Sequence, residues 1–199
     1  MDNAGGRVLK VDPEPQVTGA LLLSRVAFLR AQGSSALEEV LRGLGSADAA
    51  VLRGPLLPEA WYPLDLHRRV DEVIASVLSQ HNRADVLVQL GRASADAILA
   101  GPGGLDMKCS SPELFLARVP RLYEAHHTAG RRECEGLSAH AAVIRTFCEP
   151  CSAASGDCWT ILGWLQRGLE LSGAEAVLVR QTCSRASGGP GCEYHCEWR

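Results

Sequence analysis

The sequence predicts an α+β fold, with a helical N-terminal two thirds followed by a four-stranded antiparallel sheet with an inserted helix. Three observations carry this reading. Apolar residues recur at three- and four-residue spacing from Thr18 to His127. After Gly130 the period falls to two, with Ala142, Ile144, Thr146 and Cys148 on one face and Val143, Arg145 and Phe147 on the other. The order helices, strand, strand, helix, strand, strand then describes an antiparallel sheet packed by helices. A chain of 199 residues that is 46% apolar is large enough to bury a core without covalent staples.

Residues 1–16 are polar and carry Gly5-Gly6, Pro13 and Pro15, which predicts a flexible N-terminal arm before a single domain over 17–199. Thr18 to Gln32 is a helix, with Leu21, Leu22, Val26 and Leu29 at helical spacing and Gly33 as its stop. Ser34 and Ser35 then cap a helix with Leu37, Val40, Leu41 and Leu44 on one face, and Glu38 is placed to complete a capping box with Ser35. Pro55 and Pro58 break the pattern, and Trp61-Tyr62 anchors the next helix start. Pro63 to Ser79 and Ala84 to Leu99 are amphipathic helices. Gly101-Pro102-Gly103-Gly104 is a loop, and Ser111-Pro112 opens a helix running to about His127, interrupted or kinked at Pro120.

Strands are expected over Arg131 to Glu135 and Ala139 to Cys148. Gly156-Asp157 opens the inserted helix, which ends at Leu171 before Gly173. Glu175 to Arg185 forms the next strand, and the glycine-rich turn Ser187 to Gly191 returns a last one. That strand places Cys192, Tyr194, Cys196 and Trp198 on the inner face and Glu193, His195, Glu197 and Arg199 on the outer.

Charge and composition exclude several classes. The net charge of −3 and the lack of a basic run give no electrostatic case for nucleic acid. No uncharged apolar stretch reaches membrane-spanning length, and the start Met1-Asp2-Asn3 lacks a basic-then-apolar leader, so a cytoplasmic protein is expected. No serine-hydrolase elbow, zinc-protease histidine pair, phosphate-binding loop or dinucleotide fingerprint occurs, and a non-enzymatic chain is expected.

Eight cysteines, at 109, 134, 148, 151, 158, 183, 192 and 196, then carry the chemical argument. In a reducing compartment clustered thiols point to metal ligation or to plain burial. A hairpin centred on Ser187-Gly188 brings Cys183 opposite Cys192, and Cys158 stands in the first turn of the helix packed on that sheet. These three could hold zinc, with Cys196 or the pair Cys148 and Cys151 completing four ligands. Cys148-Glu149-Pro150-Cys151 is also the spacing of a thiol redox couple. His126 and His127 end a helix, where cations suit the dipole.

Leu21 to Leu41, Trp61-Tyr62-Pro63-Leu64-Asp65, Leu90 to Ser94, Pro120 to Tyr123, Gly130-Arg131-Arg132 and Gly163-Trp164 resemble an uncharacterised family of this length found in myxobacteria. More distantly, the architecture is similar to the superfamily of heme-NO-binding domains, 4-vinyl-reductase-type sensor domains and Bet3-like tethering subunits. In the sensor domains three cysteines and a glutamate hold a structural zinc above a pocket for an aromatic effector. Cys158, Cys183 and Cys192 match those cysteines by order, while the glutamate falls near Arg180 or Gln181. The heme domains place a histidine late in the helix before the sheet, nearest here to Tyr123, with His126 and His127 just downstream. Their Tyr-x-Ser-x-Arg clamp has no counterpart, so the likeness counts against heme.

The function expected is a ligand-binding or signal-sensing module with a cysteine-held zinc, Tyr123, His126 and His127 being the candidate ligand contacts. Its expected partners are a small hydrophobic ligand or another protein, and a homodimer is among the options. A scaffold module and a redox protein acting through Cys148 and Cys151 are the alternatives.

Overall fold

Thirteen elements alternate between two cores in the computed structural model, which describes residues 14–79, 82–100, 111–147, 157–184, 189 and 191–199. A short strand β1 (Gln16–Thr18) leads into α1 (Gly19–Ala31), α2 (Ser34–Gly43) and α3 (Ser46–Arg53). Strand β2 (Trp61–Pro63) precedes α4 (Leu64–Leu78), α5 (Arg83–Leu99) and α6 (Pro112–His126). Strands β3 (Arg131–Ser138) and β4 (Ala141–Phe147) follow, then α7 (Asp157–Leu171), β5 (Leu178–Cys183) and β6 (Cys192–Glu197). The four long strands form one antiparallel sheet in the order β3-β4-β6-β5, with α7 as the inserted helix.

The first core is helical, built from Leu22, Leu29, Val40, Val70, Ile74, Leu87 and Leu90 on α1, α2, α4 and α5. The second packs α5, α6 and α7 on the sheet, through Phe115, Val119, Leu165, Leu169, Ile144, Tyr194 and Cys196. The alternation expected for the last strand is observed, with Cys192, Tyr194 and Cys196 buried.

Helices α5 and α7 join the cores through glycine. A methyl group at Gly91 would lie 2.0 Å from the Thr160 carbonyl oxygen, and one at Gly163 would lie 2.0 Å from that of Val88. Only residues without a side chain permit this approach.

Several local expectations are corrected. The α2 helix begins after Gly33 with no side-chain cap, so Ser35 and Glu38 form no capping box. The chain stays helical through Pro120 within α6, which Ser111 caps by accepting from the Leu114 N–H. Of the expected N-terminal arm, residues 1–13 lie outside the described residues, and Gln16 belongs to β1. The pair β1–β2 escapes any periodicity argument because each strand is three residues long. It matters nonetheless. Val17 bridges His127, and the Thr128 N–H donates to the Gln16 carbonyl at 3.0 Å, which ties the end of α6 to the start of α1.

Candidate functional site: a cationic cavity between the helices and the sheet

A cavity of about 100 Å³ lies where α1, α4, α5, α6 and α7 meet β3 and β4. Its apolar wall comes from Leu21, Leu64, Ile98, Leu122 and Ile161, with Trp164 beside them. Its polar wall holds three arginines (25, 68 and 132) and three histidines (67, 126 and 127), and among the described residues no aspartate or glutamate lines it.

Each basic group is placed by a definite local cause. Arg25 occupies the buried face of α1, between Leu22 and Leu29. Its Nε and a terminal nitrogen donate to the two carboxylate oxygens of Asp71 on α4 at 2.9 and 3.0 Å. The other terminal nitrogen donates to Ser94 Oγ and Ser24 Oγ. The guanidinium is therefore neutralised and fully engaged. Arg68 pairs with the exposed Asp65 on its own helix at 3.2 Å.

Arg132 differs. Gly130 takes φ +82°, a left-handed conformation that glycine adopts readily, and so turns the chain from α6 into β3. Strand alternation then sends Arg132 inward while Arg131 and Glu133 stay exposed. Only 9% of Arg132 is exposed. Its Nε donates to Thr146 Oγ1, its cross-strand neighbour, at 3.1 Å. Its guanidinium carbon lies 4.9 Å from the Tyr123 ring centre and 5.6 Å from that of Trp164. Among the described residues no carboxylate pairs with it. Burial pulls its pKa below the usual arginine value, which still leaves a guanidinium charged at neutral pH.

The two histidines close the site. His127 stacks on Tyr123, ring centres 4.1 Å apart, and its Nδ1 donates to the Tyr123 carbonyl at 3.0 Å. A carbonyl only accepts, so the proton sits on Nδ1 and Nε2 keeps its lone pair. Burial first, and then the nearby Arg132 charge, push the His127 pKa down to about 3, so the ring is neutral at pH 7. His126 shares a 2.7 Å hydrogen bond between Nδ1 and Thr18 Oγ1. Its Nε2 is buried without a hydrogen-bond partner, and burial lowers its pKa. Tyr123 anchors the group through its hydroxyl, which donates to the Ala129 carbonyl at 3.0 Å.

The cysteines assemble only in part. Cys158 and Cys192 lie with sulfurs 3.1 Å apart, and the hydrogen bond from Cys192 pulls the Cys158 pKa down to about 6 against the opposing effect of burial. Cys183 does not face Cys192. A bulge between Gln181 and Cys183 shifts the register by one residue and sets Cys183 opposite Glu193. Cys196 sits between Ala142 and Val179 inside the sheet, and burial pushes its thiol up to about 12. Among the described residues no group of three or more histidines, cysteines or acids can hold a metal ion. The zinc expected on Cys158, Cys183, Cys192 and Cys196 is thereby corrected. Cys148 and Cys151, as substitute ligands or as a redox pair, lie outside the described residues.

Comparison with known proteins places the chain. A family described as "Protein of unknown function (DUF2378)" matches residues 29–199. The chain belongs to this family. No curated protein matches it. Among solved structures, an H-NOX protein from S. oneidensis in the Fe(II)NO ligation state superposes with a TM-score of 0.71 at 12% identity, covering 92% of this chain and 99% of that one. An oxygen-binding H-NOX domain related to soluble guanylate cyclases gives 0.64 at 11% identity, covering 92% and 95%. A third H-NOX structure, from work on heme distortion in that family, gives 0.66 at 12% identity with the same coverage. The DUF2378 chain thus has the H-NOX fold.

These likenesses overturn the expectation against heme, since the folds it shares are those of heme proteins. Arg132 brings a guanidinium to the lining of the cavity from β3. The donor set fits the group: His126 Nε2 is a buried nitrogen lacking a partner, in a mainly apolar lining. At about 100 Å³ the cavity is smaller than a porphyrin, so its side chains must move apart to admit one. Sequence reasoning singled out Tyr123, His126 and His127, all of which line this cavity, and missed Arg25, Asp71, Arg132, Thr146 and Trp164.

Proposed function

We propose that this DUF2378 chain is a non-catalytic sensory module that binds a small, mainly hydrophobic ligand in the cavity between its helices and its sheet. Tyr123, His126 and His127 are its ligand contacts. The observation that carries this is a mainly apolar cavity that contains a buried imidazole nitrogen with no hydrogen-bond partner among the described residues. Such an atom is costly to leave unsatisfied, and a ligand or metal centre that engages it removes the penalty. The hydroxyls nearby support a binding role over catalysis: Ser94 accepts from Arg25, and Thr146 accepts from Arg132.

Heme is the first occupant to test, because the structures sharing the fold are H-NOX proteins. His126 Nε2 would then be the iron ligand, with Thr18 fixing the ring through Nδ1. A bound heme would supply an iron centre for a diatomic gas. The chain's own task is to orient His126 and to exclude water with Leu21, Leu64, Ile98, Leu122 and Ile161. A cytoplasmic place and a homodimer complete the reading. No helix among the described residues is long and apolar enough to cross a membrane.

Native mass spectrometry and an absorption spectrum of full-length protein, purified without a metal-affinity tag and then titrated with hemin, test this. The expected result is a retained small molecule or a saturable Soret band that His126→Ala abolishes. Protein that carries nothing, and whose spectrum and melting point ignore hemin, would overturn the reading. The same mass spectrum counts subunits.

A further inference from the structure

We infer that Arg132 is an anion anchor and that the ligand of this cavity bears a carboxylate on a short apolar body; this rests on the ligand-binding reading above and names its ligand class. The argument is one of charge. A guanidinium removed from water loses several kcal/mol of hydration unless an anion or a full set of acceptors replaces it. Arg25, on α1, has both. Arg132 has one neutral hydroxyl on its Nε and two aromatic faces. Its terminal nitrogens are the fork that matches a carboxylate in bidentate geometry.

The surroundings admit no internal counter-ion. Among the described residues no acid lines the cavity, and Asp71 and Asp65, the partners of Arg25 and Arg68, are not part of its lining. His127 gives its Nδ1 proton to the Tyr123 carbonyl, and Arg25 and Arg68 have carboxylate partners, so Arg132 is the positive pole of the site. The Tyr123 and Trp164 rings lie 4.9 and 5.6 Å from the guanidinium carbon, within cation–π range. The apolar wall of Leu21, Leu122, Ile98 and Ile161 faces the same space and suits a hydrocarbon tail.

Size sets the rest. An apolar cavity of about 150 Å³ takes a benzene ring. A space of about 100 Å³ therefore suits a short-chain acid such as butyrate. A porphyrin propionate presents the same group on a much larger body, so the test must tell these two sources apart.

Full-length protein is titrated with sodium butyrate, with butyramide as the uncharged isostere, and separately with hemin and hemin dimethyl ester. Melting temperature and tryptophan emission are followed for wild type, Arg132→Lys and Arg132→Met. The inference expects a saturable rise in melting temperature with butyrate, at least tenfold weaker with butyramide. The rise should be lost in Arg132→Met and weakened in Arg132→Lys. Hemin binding that depends on Arg132 and is weakened by esterification, with butyrate silent, overturns the short apolar body and puts the carboxylate on a porphyrin. Equal responses of wild type and Arg132→Met to either ligand overturn the anchor while leaving the sensory reading intact. Equal responses of wild type to butyrate and butyramide overturn it too, and need no variant to fold. Silence toward both butyrate and hemin overturns the inference, whereas ligand retained by the purified protein judges the sensory reading separately.

Discussion

Two arginines line one cavity, and they are solved differently. Arg25 on α1 is 3% exposed and forms a two-point ion pair with Asp71, itself 2% exposed, while Ser24 and Ser94 take its remaining protons. Arg132 on β3 is nearly as buried, yet a threonine hydroxyl and two rings are what it meets. The first is a closed network that locks α1 to α4 and α5. The second is an open one, stable enough to persist and incomplete enough to accept something from outside. Buried charge alone does not separate a structural arginine from a binding one; the state of its valences does.

The sharpest way to break this contrast is to remove each partner. Asp71→Ala should cost about 3–5 kcal/mol in urea unfolding, because it strands Arg25. Arg132→Met should leave stability unchanged or raise it, because it removes a buried charge that no anion balances. A loss in Arg132→Met as large as in Asp71→Ala would erase the distinction. The neighbours come next. Thr146→Val should cost about 1–3 kcal/mol by leaving the Arg132 Nε unpaired, and nearly nothing in an Arg132→Met background. Ser94→Ala beside Arg25 should cost about 0.5–1.5 kcal/mol, because Arg25 keeps Asp71.

Acid supplies a third comparison. His127 titrates near 3 when folded and near 6.5 when unfolded, so the unfolded chain binds more protons between those values. Stability is complete above about pH 6.5 and declines as the pH falls toward 3, by at most about 1.4 kcal/mol per pH unit. Denaturant midpoints across this window should flatten in His127→Gln. The smallest effect is the most discriminating. Arg132→Met should raise the His127 pKa in an NMR titration by removing a repelling charge, while Arg25→Met should leave it in place.

Much of the fold was legible, and the reason is periodicity. Helices of thirteen to seventeen residues such as α1, α4, α5, α6 and α7 repeat their apolar pattern often enough to be read. The last strand shows a full alternation that burial matches at Cys192, Tyr194 and Cys196. Register was not legible, since a single bulge moves Cys183 away from Cys192 and no residue type announces it. In the site, Tyr123, His126 and His127 stood out as ring-bearing residues at a helix end. Arg132 did not, because an Arg-Arg pair reads as solvated surface. The alternation of β3 held the one clue: with Arg131 and Glu133 outward, Arg132 must point in. Asp71 could not be matched to Arg25 at all, since their pairing spans 46 positions and depends on how α1 crosses α4.

The glycine crossing of α5 and α7 limits how this cavity can be re-engineered. Gly91 lines the space, and what stands behind it is the peptide chain of α7 itself. No side chain exists on that wall to trim for a bulkier guest, and none can be installed there to exclude a smaller one. Changes of specificity must be cut into Ile98, Leu122, Ile161 and Trp164, whose side chains supply removable volume.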